Sequence, residues 1–222
     1  MKKEIIPPTR GTPLRRNGSR TLEIILNGEY YDSTYLINGN SFITRKITND
    51  DLFVEPDDYF MLINIGDENT PVYYSEPLED MKIIYDPYKF EKSERINFKP
   101  EYFKEKYEVP EGYIDTLPKW YSFKFTYPDY NLIFVGPKMG ISIQDHVERN
   151  EFWEIIEGHP IIINGNNVHY FVEDNTKFEI PSGTFHSVIN PNLDKFVLFK
   201  ERWSGHFDEE DISRVFNPNH YK

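Results

Sequence analysis

Short apolar runs separated by turn sequences recur along the first half of the chain. They occupy residues 22–26, 35–37, 42–47 and 59–65, and Asn38-Gly39-Asn40 separates two of them as a typical hairpin turn. Runs of this length, bounded by Gly, Asn and Pro, are typical of strands. The pattern predicts an antiparallel β-rich region that, with its connector, covers residues 21–119.

The connector over residues 86–119 is rich in Lys, Glu, Pro and Tyr, and it predicts only a short helix near residues 101–106. Strand-like runs resume at residues 120–126 and 132–135. We therefore assign residues 120–222 to a second β-domain.

The first twenty residues hold three Pro, two Gly and four Arg, a composition that does not build a core by itself. We expect an extended basic arm over residues 1–20. The arm is either a solvated tail or a segment whose arginines bind an acidic partner subunit.

Composition supports an all-β fold, because 16 Tyr and 17 Phe favour pleated surfaces while 16 Pro and 12 Gly supply frequent breaks. A formal net charge of −12 argues against a nucleic-acid partner, and the absence of Cys excludes disulfides and thiolate metal sites. The sequence shows neither the apolar core of a signal peptide nor a membrane span. We expect a soluble, cytoplasmic protein with no membrane partner.

The strand predicted after Gly140 carries polar residues at alternate positions. Because side chains alternate between the two faces of a strand, Gln144, His146 and Glu148 are expected to share one face. Glu151 follows after a short irregular step.

A second polar signal begins at the turn Pro181-Ser182-Gly183, which leads into a strand carrying His186, forty residues after His146. Two imidazoles and one or two carboxylates that converge from neighbouring strands suit a divalent Zn, Mn, Fe, Co or Ni ion. The alternative is that the two histidines complete a buried hydrogen-bond network.

These two stretches resemble the paired motifs of the cupin superfamily, written G(X)5HXH(X)3,4E(X)6G and G(X)5PXG(X)2H(X)3N. The first motif is matched by Gly140, His146, Glu151 and Gly158, with Glu148 at the second His, and the second by Pro181, Gly183, His186 and Asn190, with Asn175 at its first Gly.

The shorter gap before Glu151 resembles the cupin domain of mannose-6-phosphate isomerases, in which a Gln-X-His-X-His-Arg-X-Glu-X-Trp run is typical. The corresponding residues here are Gln144, His146, Glu148, Arg149, Glu151 and Trp153, and the tail from Gly205 to Arg214 with Tyr221 resembles the same subgroup. The resemblance covers about residues 132–222.

The resemblance implies a conical, jelly-roll-like antiparallel β-barrel. It also implies a metal bound by His146, Glu151, His186 and one of Glu148 or Gln144. Residues 1–130 show no family, and a diverged second cupin-like module remains an alternative for the β-rich part of this region. Cupins often pair through sheet edges, so we expect a homo-oligomer, a dimer.

The resemblance also suggests aldose–ketose isomerisation of a sugar or sugar phosphate, with Glu148 moving the proton. Arg149, Lys200 and Arg202 are the candidate substrate-binding cations, although Lys200 and Arg202 would otherwise lie on a solvated sheet face. The competing hypothesis is a non-catalytic module for ligand binding or assembly, since a fold alone fixes no function.

The acidic run 208–211 predicts the start of a short helix outside the pocket, with Arg214 anchoring the tail.

Overall fold

The computed structural model describes residues 2–92, 99, 101–107, 121–208 and 210–219, and strands dominate the described chain. The strands are β1 (Lys2–Ile6), β2 (Leu14–Arg16), β3 (Leu22–Leu26), β4 (Thr34–Asn38), β5 (Ser41–Ile43), β6 (Phe53–Val54), β7 (Tyr59–Asn64), β8 (Thr70–Tyr74), β9 (Lys82–Tyr85), β10 (Ser122–Thr126), β11 (Asn131–Val135), β12 (Ile143–Asp145), β13 (Arg149–Glu157), β14 (Ile161–Asn164), β15 (Asn167–His169), β16 (Lys177–Ile180), β17 (His186–Ile189), β18 (Val197–Gly205) and β19 (Ser213–Phe216). One α-helix, α1 (Glu101–Tyr107), and short 3₁₀ turns at Gly28–Tyr30, Asn49–Leu52 and Leu78–Asp80 complete the described elements. The prediction of an all-β fold is confirmed.

The N-terminal module packs two sheets face to face. Strands β1-β8-β3-β6 form one sheet, and β5-β4-β7-β2-β9 form half of a larger sheet. Alternate residues of each strand face the core between the sheets, among them Leu22, Ile24, Leu36 and Leu62, all at most 1% exposed. The hairpin predicted at Asn38-Gly39-Asn40 joins β4 to β5, and Gly39 has a φ of 55°.

Residues 2–16 do not form the expected extended arm. Strand β1 pairs with β8, and β2 lies between β7 and β9. Leu14 is fully buried, and the buried Arg15 binds Glu4 with 3.2 Å between Nη2 and Oε1. The arginine is thus part of an internal ion pair, while the prolines of this segment lie between the two strands.

The C-terminal module is the predicted jelly-roll-like barrel. Its two sheets are β10-β11-β18-β13-β16 and β19-β12-β17-β14-β15, and they enclose a core that includes Trp153, Ile155, Val188 and Phe199. The predicted helix at residues 101–106 corresponds to α1, which covers the outer face of the first sheet. Its Phe103 ring lies 5.0 Å from that of Phe123. The start of the strand predicted at residue 120 lies outside the described residues.

The two modules share one ten-stranded sheet, because β15 of the barrel pairs with β5 of the N-terminal module. The backbone N–H of Phe42 donates to the carbonyl of Asn166, and that of Val168 donates to the carbonyl of Asn40, both at 2.8 Å. The OH of Tyr170 donates to the Gly39 carbonyl at 2.7 Å. This edge of the barrel is therefore occupied within the chain.

A further cluster of buried apolar residues lies between the two modules, where the outer faces of their sheets pack against each other. Ile37 and Met61 contribute from the N-terminal side, and Ile163 and Ile189 contribute from the barrel. The two modules are thus packed back to back as well as edge to edge. None of the described helices has the length and apolar character needed to cross a membrane.

Candidate functional site

Three strands of the barrel bring the polar motif residues together. Gln144 on β12 lies opposite His186 on β17, and His146 follows β12 by one residue. Glu151 lies near the start of β13 and faces inward, as its burial beside Trp153 shows. Residues distant in sequence therefore meet at one end of the barrel interior.

His146, Glu151 and His186 form a compact buried cluster whose ligand atoms lie within 4.8 Å of one another. The Nε2 of His146 lies 3.2 Å from Oε1 of Glu151, and the Nε2 of His186 lies 3.6 Å from Oε2. All three side chains are at most 3% exposed. The structure thus brings together three of the residues expected to bind a metal.

The hydrogen bonds of the two imidazoles fix their tautomers. Nδ1 of His146 donates to the carbonyl of Asp211, and Nδ1 of His186 donates to the carbonyl of Thr184. A carbonyl oxygen only accepts, so the proton lies on Nδ1 and the lone pair on Nε2. Burial lowers the pKa of both rings, that of His186 to about 4, so both are neutral at pH 7.

This donor set fits a divalent metal ion. Neutral imidazoles oriented by a second hydrogen bond, beside a carboxylate, are typical of metal ligands. The Nε2 atom of His186 is buried and has no hydrogen-bond partner, which is unusual for a polar atom away from water. A metal ion would supply the missing partner.

Arg149, expected to bind substrate, lies deep in the same pocket. Its Nε donates to Oε1 of Glu151 at 2.9 Å, and its Nη2 donates to Nε2 of His146 at 2.8 Å. Nη1 donates to the carbonyl of Asp208 at 2.8 Å, and the guanidinium lies over the ring of Phe207 at 4.7 Å. The guanidinium is therefore fixed on three sides.

Gln144 lines the pocket, as the strand pattern predicted. Its Oε1 accepts a hydrogen bond from the Ser142 hydroxyl at 2.6 Å, and its Nε2 lies 3.4 Å from Nε2 of His146. The side chain is close to the cluster, and its amide oxygen is bound to Ser142.

Glu148 is exposed and does not line the pocket, contrary to the expected alternation. Strand β12 ends at Asp145, and the chain then bends, so the alternation does not continue. The backbone N–H groups of Val147 and Glu148 donate to the Asp211 carboxylate at 2.9 and 3.0 Å, which lowers the pKa of Asp211. The expected roles of Glu148 in proton transfer and metal binding do not fit this position.

Lys200 and Arg202 lie on the opposite face of β18 from the pocket. The ammonium of Lys200 lies 3.9 Å from the centre of the Tyr130 ring, and Arg202 is exposed. Phe199 and Glu201, at the alternate positions, face inward. Arg202 lies on a solvated sheet face, as the alternative interpretation of these two cations expected. Neither Lys200 nor Arg202 reaches the candidate site.

Glu201 is a pocket carboxyl that the sequence motifs did not indicate. It is 9% exposed, and its Oε1 accepts a hydrogen bond from Nδ2 of Asn131 at 2.8 Å. Burial, reinforced by the negative charge of Glu151, raises the pKa of Glu201 to about 8. The sequence signal for it is its position two residues after Phe199, because side chains two apart on a strand share one face.

The described residues of the acidic run, Asp208, Glu210 and Asp211, are not helical, and Arg214 lies on strand β19. This tail segment closes one side of the pocket through its bonds to Arg149 and His146. The exposed Arg214 and the half-buried Lys124 are the other cations that line the pocket. Both face a cavity that also contains Tyr121, which the sequence did not indicate as a site residue.

Other motif residues serve the backbone. Asn175, at the position of a motif glycine, has a φ of 67°, a conformation that Asn tolerates better than most residues. The side-chain amide of Asn190 donates to the carbonyls of Val135 and Lys195 at 2.9 and 2.8 Å. These residues hold the turns that shape the barrel.

Residues 109–217 match the family model described as mannose-6-phosphate isomerase C-terminal. This match confirms the resemblance inferred from the motifs. No curated protein matches the chain.

Solved structures similar to this chain include three of bacterial origin. A cupin-2 domain protein from Rhodospirillum rubrum has 17% identity and a TM-score of 0.34, over 40% of this chain and 66% of that one. A sugar phosphate isomerase of the cupin superfamily from Silicibacter pomeroyi has 18% identity and a TM-score of 0.34, over 39% and 60%. The capsular polysaccharide assembling protein CapF from Staphylococcus aureus has 18% identity and a TM-score of 0.36, over 43% and 30%. Each alignment spans less than two thirds of the matched structure.

Proposed function

Because residues 109–217 match the mannose-6-phosphate isomerase C-terminal family, we propose that the barrel isomerises a sugar phosphate between its aldose and ketose forms. The pocket carboxyls carry the proposal. Glu151 accepts hydrogen bonds from Arg149 and Trp153, as a carboxylate does, while Glu201 retains its proton up to about pH 8. Two carboxyl groups with separated proton affinities are typical of acid–base sites.

The substrate's phosphate would bind at Lys124 and Arg214. Both cations line the pocket, and Arg214 is exposed where an anion can approach. Their placement matters in a chain of formal net charge −12, which otherwise repels anions. Ser142 and Gln144, also in the lining, offer hydrogen-bonding groups for sugar hydroxyls.

Glu201 is the proposed proton carrier. In its ionised form it takes the proton from the carbon beside the carbonyl, the C–H electrons form a C=C bond, and the former carbonyl oxygen takes the negative charge of an enediolate. It then returns the proton to the former carbonyl carbon while the hydroxyl proton passes between the two oxygens. Asn131 orients the carboxyl through its 2.8 Å hydrogen bond. A Zn, Mn, Fe, Co or Ni ion bound by His146, Glu151 and His186 supplies polarisation of a carbonyl oxygen.

The test is conversion of mannose 6-phosphate to fructose 6-phosphate by the full chain, loaded with each of these metals. We expect Glu201→Gln to lower kcat by about a hundredfold or more, the usual effect of losing a proton-transfer group. Glu148→Gln is the matched control and should leave kcat within about twofold of the parent, because an exposed side chain outside the pocket does not reach substrate. Turnover by Glu201→Gln equal to the parent would contradict the assignment.

A non-catalytic binding module is the second candidate. It is favoured by Glu148, which stands at the motif's second His and points away from the pocket. Binding of mannose 6-phosphate without turnover under every metal, weakened by Arg214→Gln, would support this candidate over the isomerase.

The cytoplasmic location and the dimer remain predictions. Since β5 already occupies the edge of β15, a dimer would use another surface. Sedimentation equilibrium of the full chain tests the dimer.

A further inference from the structure

The buried guanidinium of Arg149 occupies the atoms that a metal ion would use. Its Nη2 lies 2.8 Å from Nε2 of His146, and its Nε lies 2.9 Å from Oε1 of Glu151. The metal donor set of the proposed function and the binding partners of Arg149 therefore overlap.

The hydrogen-bonding chemistry of His146 makes this overlap exclusive. Its Nδ1 donates to the Asp211 carbonyl, so Nε2 has no proton and holds one lone pair in the ring plane. That lone pair can accept one N–H of Arg149 or bind one metal ion, but not both. The carboxylate of Glu151, with four lone pairs, imposes no such choice.

The charges lead to the same conclusion. Arg149 and Glu151 already form a paired cation and anion at 2.9 Å. Like charges repel strongly where little water is present, so a divalent ion beside the guanidinium is disfavoured. Of the two imidazole nitrogens that would bind the ion, Nε2 of His186 has no hydrogen-bond partner, whereas Nε2 of His146 accepts from Arg149.

We propose that Arg149 is the resident cation of this pocket and that it competes with a divalent metal ion for His146. The proposal rests on the same triad as the proposed function. A metal ion can bind all three residues of the triad only after the guanidinium has left His146. The guanidinium can then stay bound to the tail segment through its hydrogen bond to the Asp208 carbonyl and its contact with Phe207.

The test is titration of the metal-stripped full chain with Co²⁺, followed by visible absorption and by competition with Zn²⁺. We expect Arg149→Met to bind Co²⁺ at least tenfold more tightly than the parent, because it removes both the charge and the competing donors. Arg202→Met is the matched control on an exposed arginine and should bind like the parent. Equal or weaker binding by a folded Arg149→Met, checked by circular dichroism, would overturn the proposal.

A second measurement uses the parent alone and does not depend on the stability of the variant. Nitrogen-15 NMR follows Nε2 of His146 and the guanidinium of Arg149 during the metal titration. We expect the two signals to change together. Coordination of His146 with the Arg149 signals unchanged would overturn the proposal. Both readouts measure binding, so failure of the isomerase assay and failure of the competition are distinguishable.

Discussion

Replacing Glu201 by Gln should stabilise the metal-stripped protein at alkaline pH although it removes the proposed proton carrier. The carboxyl of Glu201 is buried, and its pKa rises from an ordinary 4.5 to about 8. As pH rises from 4.5 to 8, the unfolded chain loses this proton and gains hydration, while the folded chain keeps it. The parent therefore loses stability over this window, and the loss is complete above pH 8.

The magnitude follows from the two pKa values. At 1.36 kcal/mol per pH unit, the gap between 4.5 and about 8 corresponds to roughly 4 to 5 kcal/mol. Water entry on ionisation relieves part of this cost, so we expect a measured gain of about 2 to 4 kcal/mol for Glu201→Gln at pH 9 relative to pH 5. Gln is close in size and keeps an oxygen that can accept from Asn131, so the packing around position 201 is little changed.

Urea unfolding of the parent and Glu201→Gln at pH 5 and pH 9, both treated with a chelator, measures the effect. Glu148→Gln serves as the exposed control and should show no pH-dependent difference from the parent. If Glu201→Gln differs from the parent by the same amount at both pH values, the carboxyl of Glu201 is not held protonated in the folded protein.

Three further outcomes are expected. His186→Ala should lower metal affinity, measured by calorimetry, by more than the roughly tenfold to hundredfold that is usual when a residue supporting a ligand is replaced. Unchanged affinity would exclude His186 as a ligand. Gly158→Ala should lower the free energy of unfolding by at least about 2 kcal/mol, because its φ is +109° and an added Cβ would lie 2.6 Å from the Phe196 carbonyl. Gly18→Ala, with no atom within 4 Å of the new Cβ, is its control, and equal effects would contradict the argument. Tyr170→Phe should lower the free energy of unfolding in urea by about 1 kcal/mol, because it removes the hydrogen bond between the modules. An unchanged free energy of unfolding would show that this bond makes no net contribution to stability.

The sequence predicted the site residues best where the spacing of residues within one motif determines where their side chains lie. His146 could be selected from the alternation of polar residues after Gly140, and His186 from the turn Pro181-Ser182-Gly183 that precedes it. The same two motifs also predicted the fold. Glu148 was misassigned because the alternation rule holds only while a strand continues, and β12 ends at Asp145. The bend depends on Asp211, more than sixty residues away.

The residues that the sequence missed depend on pairing between distant segments. The alternation of Phe199 and Glu201 with Lys200 is visible in the sequence, but which side of β18 faces the pocket is set by its register against β11 and β13. Residues 1–20 were expected to be an arm for a similar reason. The partner of β1 is β8, about seventy residues later, and nothing in the composition of residues 1–20 indicates it.

The ten-stranded sheet also imposes an order of events during synthesis. The N-terminal module leaves the ribosome first, so β5 is synthesised before β15 and can fold before β15 has been translated. The nascent barrel can then pair β15 with an edge in the same chain, so the pairing costs no translational entropy. Expressed without residues 1–92, the barrel would emerge with the edge of β15 open, and an open edge is a template for pairing with other chains. The first module thus covers, within the same chain, a strand edge that would otherwise be open on the second.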